Sequence, residues 1–130
     1  MILKKIVPAT SDDRGSISDI FYNTEMQHAA IIESKAAGVI RGNHYHKKTT
    51  QSVFVLKGKL RYWWQPADRS QPVQSVIVEG YSLVTSPPYE IHTMEMLEPN
   101  TFVVFSNGPR GGQDYESDTF RVPTIVPENR

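Results

Sequence analysis

Apolar and polar positions alternate with period two along most of this chain, in short runs rich in β-branched and aromatic residues, and no stretch turns to the 3.6-residue period of a helix. Residues 1–8 read as a first strand. The SDDRG segment at 11–15 is turn chemistry, with acidic side chains that can bond their own backbone and a glycine free to take positive φ. Strands are then predicted at 17–22 (ISDIFY) and 29–34, with a polar break between them. The segment 38–58, GVIRGNHYHKKTTQSVFVLKG, reads as two strands joined by a loop and closes on the turn Lys57-Gly58-Lys59. Across Gly58, residues 59–65 (KLRYWWQ) make a hairpin partner whose rings suit a pleated, half-buried surface. A polar loop at 66–72 precedes four more strands at 73–79, 81–85, 91–97 and 101–106, separated by Gly80, by Pro87-Pro88 and by Glu98-Pro99-Asn100. Residues 107–117 (NGPRGGQDYES) are too glycine-rich and polar for a core strand and read as a surface loop or arm, with a last strand at 119–126. Strands broken by turns every ~8 to 12 residues predict an all-β, antiparallel sandwich or barrel, and a double-sheet jelly roll satisfies the count.

Composition narrows the class. A chain of 130 residues fits one domain, 1–130, large enough to bury a core without staples. With no cysteine, disulfides and thiolate metal sites are excluded. Fourteen basic residues balance fourteen acidic ones, so no overall basic field argues for nucleic acid or an anionic membrane, and an anionic ligand must be held by local cations. No apolar run is long enough to span a bilayer and the start lacks a signal-peptide core, so a cytoplasmic location is expected.

Candidate chemistry gathers around 38–58. His44 and His46 stand at alternate positions, so a strand turns both imidazoles to one face, about 7 Å apart along the chain. Gln51 follows, and a proline-rich turn at 87–88 delivers His92 onto a later strand. Three imidazoles and one amide oxygen can hold a divalent ion such as Zn, Ni, Cu or Fe. The same imidazoles can move a proton at a carbon next to a carbonyl. Arg41 has opposite parity to His44 in an ideal strand, which a bulge at Gly42 would correct. Trp64, in its aromatic run, can stack on a base, and Lys47 at the loop after the histidines can attract phosphate. His28 is assigned a structural role.

The spacing G-x5-H-x-H-x4-Q-x6-G over 38–58, followed by P-x-Y-x-x-H over 87–92, resembles the paired signatures of the cupin superfamily, with Gln51 at the usual acid and Tyr89 at the usual glycine. That resemblance implies a double-stranded antiparallel β-helix. If it binds metal, His44, His46, Gln51 and His92 are the ligands, and the ion is loosely held because an amide brings no charge. VIRGNHYH and DDRGSISD resemble stretches of the dTDP-4-dehydrorhamnose 3,5-epimerases. RGNHYHKKTTQ is similar still more closely to a segment of the dTDP-sugar 3,4-ketoisomerases, and the cupin domain of capsular polysaccharide epimerases shares RGNH-x-H.

These likenesses imply an isomerase or epimerase acting on a dTDP- or UDP-4-keto-6-deoxyhexose in surface polysaccharide or deoxysugar biosynthesis, with no metal required. They make His44 and His46 the proton-transfer residues; Tyr89, by its place near His92, can act as an acid. They give Arg41 to the diphosphate and, in a homodimer that shares an N-terminal arm (1–22), let Arg14 and Asp19 reach the nucleotide of a neighbouring subunit. A metal-dependent cupin enzyme and a non-catalytic sugar-nucleotide-binding cupin are the alternatives.

Overall fold

The computed structural model describes residues 1–129. Its first strands are β1 (Ile2–Lys5), β2 (Thr10–Asp12), β3 (Gly15–Ile17) and β4 (His28–Ser34). The central motif forms β5 (Ile40–Tyr45) and β6 (Thr50–Lys57), and β7 (Lys59–Pro66) turns back across Gly58. After these come β8 (Gln74–Glu79), β9 (Ser82–Ser86), β10 (Glu90–Met96) and β11 (Asn100–Asn107), a 3₁₀ turn at Gly112–Asp114, and β12 (Phe120–Arg121). Among the described residues no helix is long and apolar enough to cross a membrane.

Two five-stranded antiparallel sheets stack face to face, one in the order β1-β9-β6-β11-β4 and the other β12-β5-β10-β7-β8. This is the jelly roll that the strand spacing predicted. Inward residues of β6 and β11 (Val53, Val55, Phe102, Val104) meet those of β7 and β10 (Leu60, Tyr62, Met94, Met96) in one core cluster, all of them buried. Burying a side chain of this size is worth about 1.5–3 kcal/mol, so this layer fixes the register of both sheets. Strand β11 keeps the half-buried alternation throughout, whereas all seven residues of β10 are buried, because both of its faces are covered.

What covers the outer faces departs from the sequence expectation. A strand over 17–22 does not form. Gly15–Ile17 instead pairs with Thr10–Asp12 in a small hairpin, and its turn is closed by the Asp12 carboxylate accepting the Arg14 backbone N–H at 2.9 Å. Ile20 and Phe21 then pack on Ile6, Phe54 and Leu83 outside the first sheet. Consecutive apolar residues cannot share one face of a strand, so covering a sheet with both requires irregular chain. At the other end, the strand expected over 119–126 is reduced to Phe120–Arg121, which pairs with β5. Pro123 has no N–H to continue the ladder, and Ile125 and Val126 lie instead against Trp63 and Ile91. Strand β1 pairs with β9 of its own chain.

Candidate functional site

The pairing of β5 with β10 builds the site. His92 stands opposite His44, but the next pair is Thr93 with Gly42, so Asn43 is an extra residue and β5 bulges there. Both bulge residues have positive φ, 96° at Gly42 and 57° at Asn43. The Thr93 hydroxyl donates to Asn43 Oδ1 at 2.9 Å, pinning the bulge to β10. Glycine is required at 42 for space as well as conformation, since a Cβ would stand 2.7 Å from the His92 carbonyl oxygen. As the sequence suggested, the bulge resets parity, and Arg41 lines the same cavity as His44.

Three imidazoles gather into one cluster, the floor of the site, and of the three only His44 is among the residues lining the cavity. The His44 ring centroid is 4.9 Å from that of His46 and 4.7 Å from that of His92, the latter contact edge-on. All three residues are buried. Both ring nitrogens of His44, and both of His92, lack a hydrogen-bond partner of normal geometry. Burial, then the neighbouring charges of His46, Arg110 and Arg121, push the His44 pKa down to about 3. His92 is held well below the usual histidine range, by burial first and then by His44 and His46. The floor is therefore neutral at physiological pH and rich in lone pairs.

His46 differs from its neighbours. Its Nδ1 lies 2.6 Å from the Asp118 carbonyl oxygen, which can only accept, so Nδ1 carries the proton. Burial also lowers the His46 pKa, with the bond to Asp118 working against it. In the neutral ring Nε2 is then a lone pair. The buried Gln51 Oε1 sits 3.0 Å from it; an oxygen cannot donate to that lone pair, and a half-turn of the last torsion brings the NH₂ end there as the complementary partner.

The opposite wall is the 107–121 segment, whose contribution the sequence reading missed by taking residues 107–117 as a surface loop or arm. It contributes Arg110, Tyr115 and Arg121 to the cavity lining. Arg110 stacks 4.3 Å from the Tyr115 ring centroid and donates to the Tyr115 carbonyl and the Thr119 hydroxyl, each at 2.9 Å. Arg121 pairs directly with His44 across β12 and β5, which turns their side chains to one face. Gly111 rests on the His28 ring, where a Cβ would meet Cδ2 at 2.3 Å, so His28 supports this wall. The one available signal was arginines at 110 and 121 inside a glycine-rich stretch that ends two residues before a proline. The cavity encloses about 290 Å³. Arg41, Arg110 and Arg121 line it with no carboxylate among the lining residues.

Other sequence candidates lie elsewhere. Tyr89 is 56% exposed and stacks on Tyr45. Its φ of 63° explains why a glycine suits that position. The half-buried Trp64 packs against the core beside Tyr62. Lys47 Nζ sits 4.2 Å over the Phe120 ring. Arg14 is exposed on the hairpin, paired with Asp12, and Asp19 is exposed further along the same arm.

The ligand nitrogens of His44, His46 and His92 lie within 4.8 Å of one another, a spacing one divalent ion could bridge. His44 and His92 would offer free nitrogens, and His46 would have to give up Gln51.

Comparison with known proteins is consistent across the chain. The model of a polysaccharide biosynthesis C-terminal domain matches residues 10–119. A sugar 3,4-ketoisomerase from Thermoanaerobacterium thermosaccharolyticum, solved in complex with TDP, superposes with a TM-score of 0.75 at 17% identity, covering 93% of this chain and 87% of that one. The dTDP-4-dehydrorhamnose 3,5-epimerase from Sulfolobus tokodaii gives 0.72 at 20% identity, covering 90% and 73%. The capsular polysaccharide assembling protein CapF from Staphylococcus aureus gives 0.67 at 20% identity, covering 93% of this chain but 33% of that one. At these identities the likeness establishes the cupin fold. No curated protein matches the sequence.

Proposed function

The chain belongs to the polysaccharide biosynthesis C-terminal domain family, and from that premise we propose that it is a nucleotide-sugar isomerase or epimerase acting on a dTDP- or UDP-linked 4-keto-6-deoxyhexose. One observation carries the reading: His44, neutral and with both ring nitrogens unpartnered, faces a cavity lined by three arginines and no acid. A neutral imidazole accepts a proton from the carbon beside the ketone. The C–H electron pair moves into a new C=C bond and the carbonyl π pair onto oxygen, giving an enediolate. Return of the proton to the other face gives epimerisation, and return to the neighbouring carbon, with loss of the hydroxyl proton, moves the carbonyl. Arg41, Arg110 and Arg121 offer planar donors to a diphosphate. In the free protein Arg110 and Arg121 help hold the His44 pKa down. A diphosphate between them offsets that charge, while burial, the largest cause of the depression, remains.

A volume near 290 Å³ is at the low end for ligand sites and fits sugar and phosphates, with the base lying outside. Homodimer assembly belongs to this reading. The hairpin is exposed at Arg14 and Ile17, so arm residues of a second copy, Arg14 and Asp19 among them, are free to reach that base. Sedimentation giving only monomer at micromolar concentration would remove that part. The test of the activity is incubation with dTDP-4-keto-6-deoxyglucose and its isomers in heavy water. Deuterium is expected to enter the ring even without net product, and failure of every keto-sugar nucleotide to exchange would overturn the reading.

A metal-dependent variant is favoured by the closeness of the three imidazole nitrogens. An ion held there by His44, His46 and His92 would polarise the sugar carbonyl. Elemental analysis of protein purified without chelator decides between the two.

A further inference from the structure

The 107–121 segment and the histidine floor are joined by one residue. Asp118 is buried, at 4% exposure, and is the only carboxylate among the described residues that caps a turn of the central motif. Its Oδ1 accepts the Lys47 backbone N–H at 2.9 Å. Its Oδ2 accepts the Lys48 N–H at 2.9 Å, the Thr49 N–H at 2.8 Å and the Thr49 hydroxyl at 2.8 Å. Four donors on one carboxylate form a nest around the turn that directly follows His46. Burial alone would raise the Asp118 pKa, but the bonds from Lys47, Lys48 and Thr49 outweigh it and leave the carboxyl below its ordinary value. The same residue's carbonyl takes the His46 Nδ1–H. Three residues further on, Arg121 stands opposite His44.

We propose that Asp118 is a positioning residue, a latch whose carboxylate holds the arginine-bearing wall onto the 47–49 turn while its carbonyl fixes His46 in the Nδ1–H tautomer. This rests on the activity proposed above for its catalytic consequence, though not for its structural one. The two contacts belong to one residue, so they are made and lost together. With the latch made, Arg110 and Arg121 face the cavity and His46 presents only its Nε2 lone pair toward Gln51. With it broken, the segment stays anchored where Phe120–Arg121 pairs with β5, but the loop before that strand can shift and carry the Asp118 carbonyl away from His46 Nδ1. Wall closure and the proton arrangement of the floor are thereby coupled without contact between Asp118 and substrate.

Long-range ¹⁵N–¹H correlation on the imidazoles of the full chain reads this directly and without substrate. In the wild type His46 is expected as the Nδ1–H tautomer, and finding Nε2–H would overturn the proposal whatever any variant does. In Asp118→Asn the amide keeps one oxygen for four donors. The His46 signal should shift to a mixture of tautomers, and the turnover limit of the exchange reaction should fall at least tenfold together with a loss of nucleotide affinity, because Asp118 supports both the floor and the wall. A folded Asp118→Asn protein that keeps a pure Nδ1–H signal and full exchange would overturn the latch. If that substitution unfolds the chain, Asp118→Ser, which keeps one hydroxyl acceptor, is read by the same criterion. Ser117→Ala, one residue away and exposed, should leave the His46 signal unchanged, and an equal shift there would reduce Asp118 to generic support. Pure Nδ1–H His46 in a protein that exchanges no keto-sugar would sink the proposed activity and leave the latch standing.

Discussion

The two walls of the cavity are made in different ways. His44 sits on β5, His92 on β10 and Gln51 at the start of β6, where ladder hydrogen bonds and a shared core fix the backbone, and His46 follows directly after β5. The 107–121 wall has one short 3₁₀ turn and a two-residue strand paired with β5, and the rest of it is braced internally by Arg110 on Tyr115 and Arg121 on Glu116 and tied to the 47–49 turn by Asp118. Proton transfer tolerates little error in position, so it gains from a rigid sheet. Gripping a charged ligand gains from a wall that can adjust around it.

If that division is right, damage to the floor should cost rate and damage to the wall should cost affinity. The largest effect expected is from His44→Ala, which should lower solvent exchange into the sugar by roughly 10²- to 10⁴-fold with nucleotide binding nearly intact, as general-base catalysis is worth that much. Full-rate exchange in this variant would move the chemistry away from the floor. Arg110→Ala should do the opposite, raising KM by roughly 10- to 100-fold, the worth of a charged hydrogen bond, with kcat little changed. A loss confined to kcat would erase the distinction between the walls.

A smaller effect is expected in acid. The His44 pKa is depressed to about 3 in the fold, so between that value and the unfolded value near 6.5 the unfolded chain binds the additional proton. Stability is therefore present in full above about pH 6.5 and falls as pH drops, by about 1.4 kcal/mol per unit for this one group. Urea denaturation across pH 4 to 7 should give a steeper slope for wild type than for His44→Asn. Equal slopes would mean that the ring is solvated and the floor less closed than it looks. The smallest effect is at Tyr89, whose φ of 63° costs a non-glycine residue about 1 kcal/mol. Tyr89→Gly should leave exchange unchanged and alter the melting temperature by only a few degrees, whereas loss of exchange would restore Tyr89 as an acid.

Period-two patterning and turn residues were enough to determine the jelly roll, because a strand's faces follow from parity alone and glycine and proline punctuate it locally. The H-x-H pair, Gln51 and His92 were legible for the same reason, and a glycine inside a strand announced the bulge that brings Arg41 beside His44. The irregular course of 18–27 was not legible, since Ile20 and Phe21 take their positions from the sheet surface they cover. Nor was Tyr89 facing outward, which follows from a backbone angle that the side chain does not reveal. Least legible was the arginine wall. Residues 107–121 carry no periodicity of their own; Arg121 is set opposite His44 by the pairing of β12 with β5, and the segment is tied to the central motif by a buried carboxylate about 70 residues away in sequence from the N–H groups it accepts. Such a bond depends on two distant segments being brought together by the rest of the fold, so only the tertiary structure could decide it.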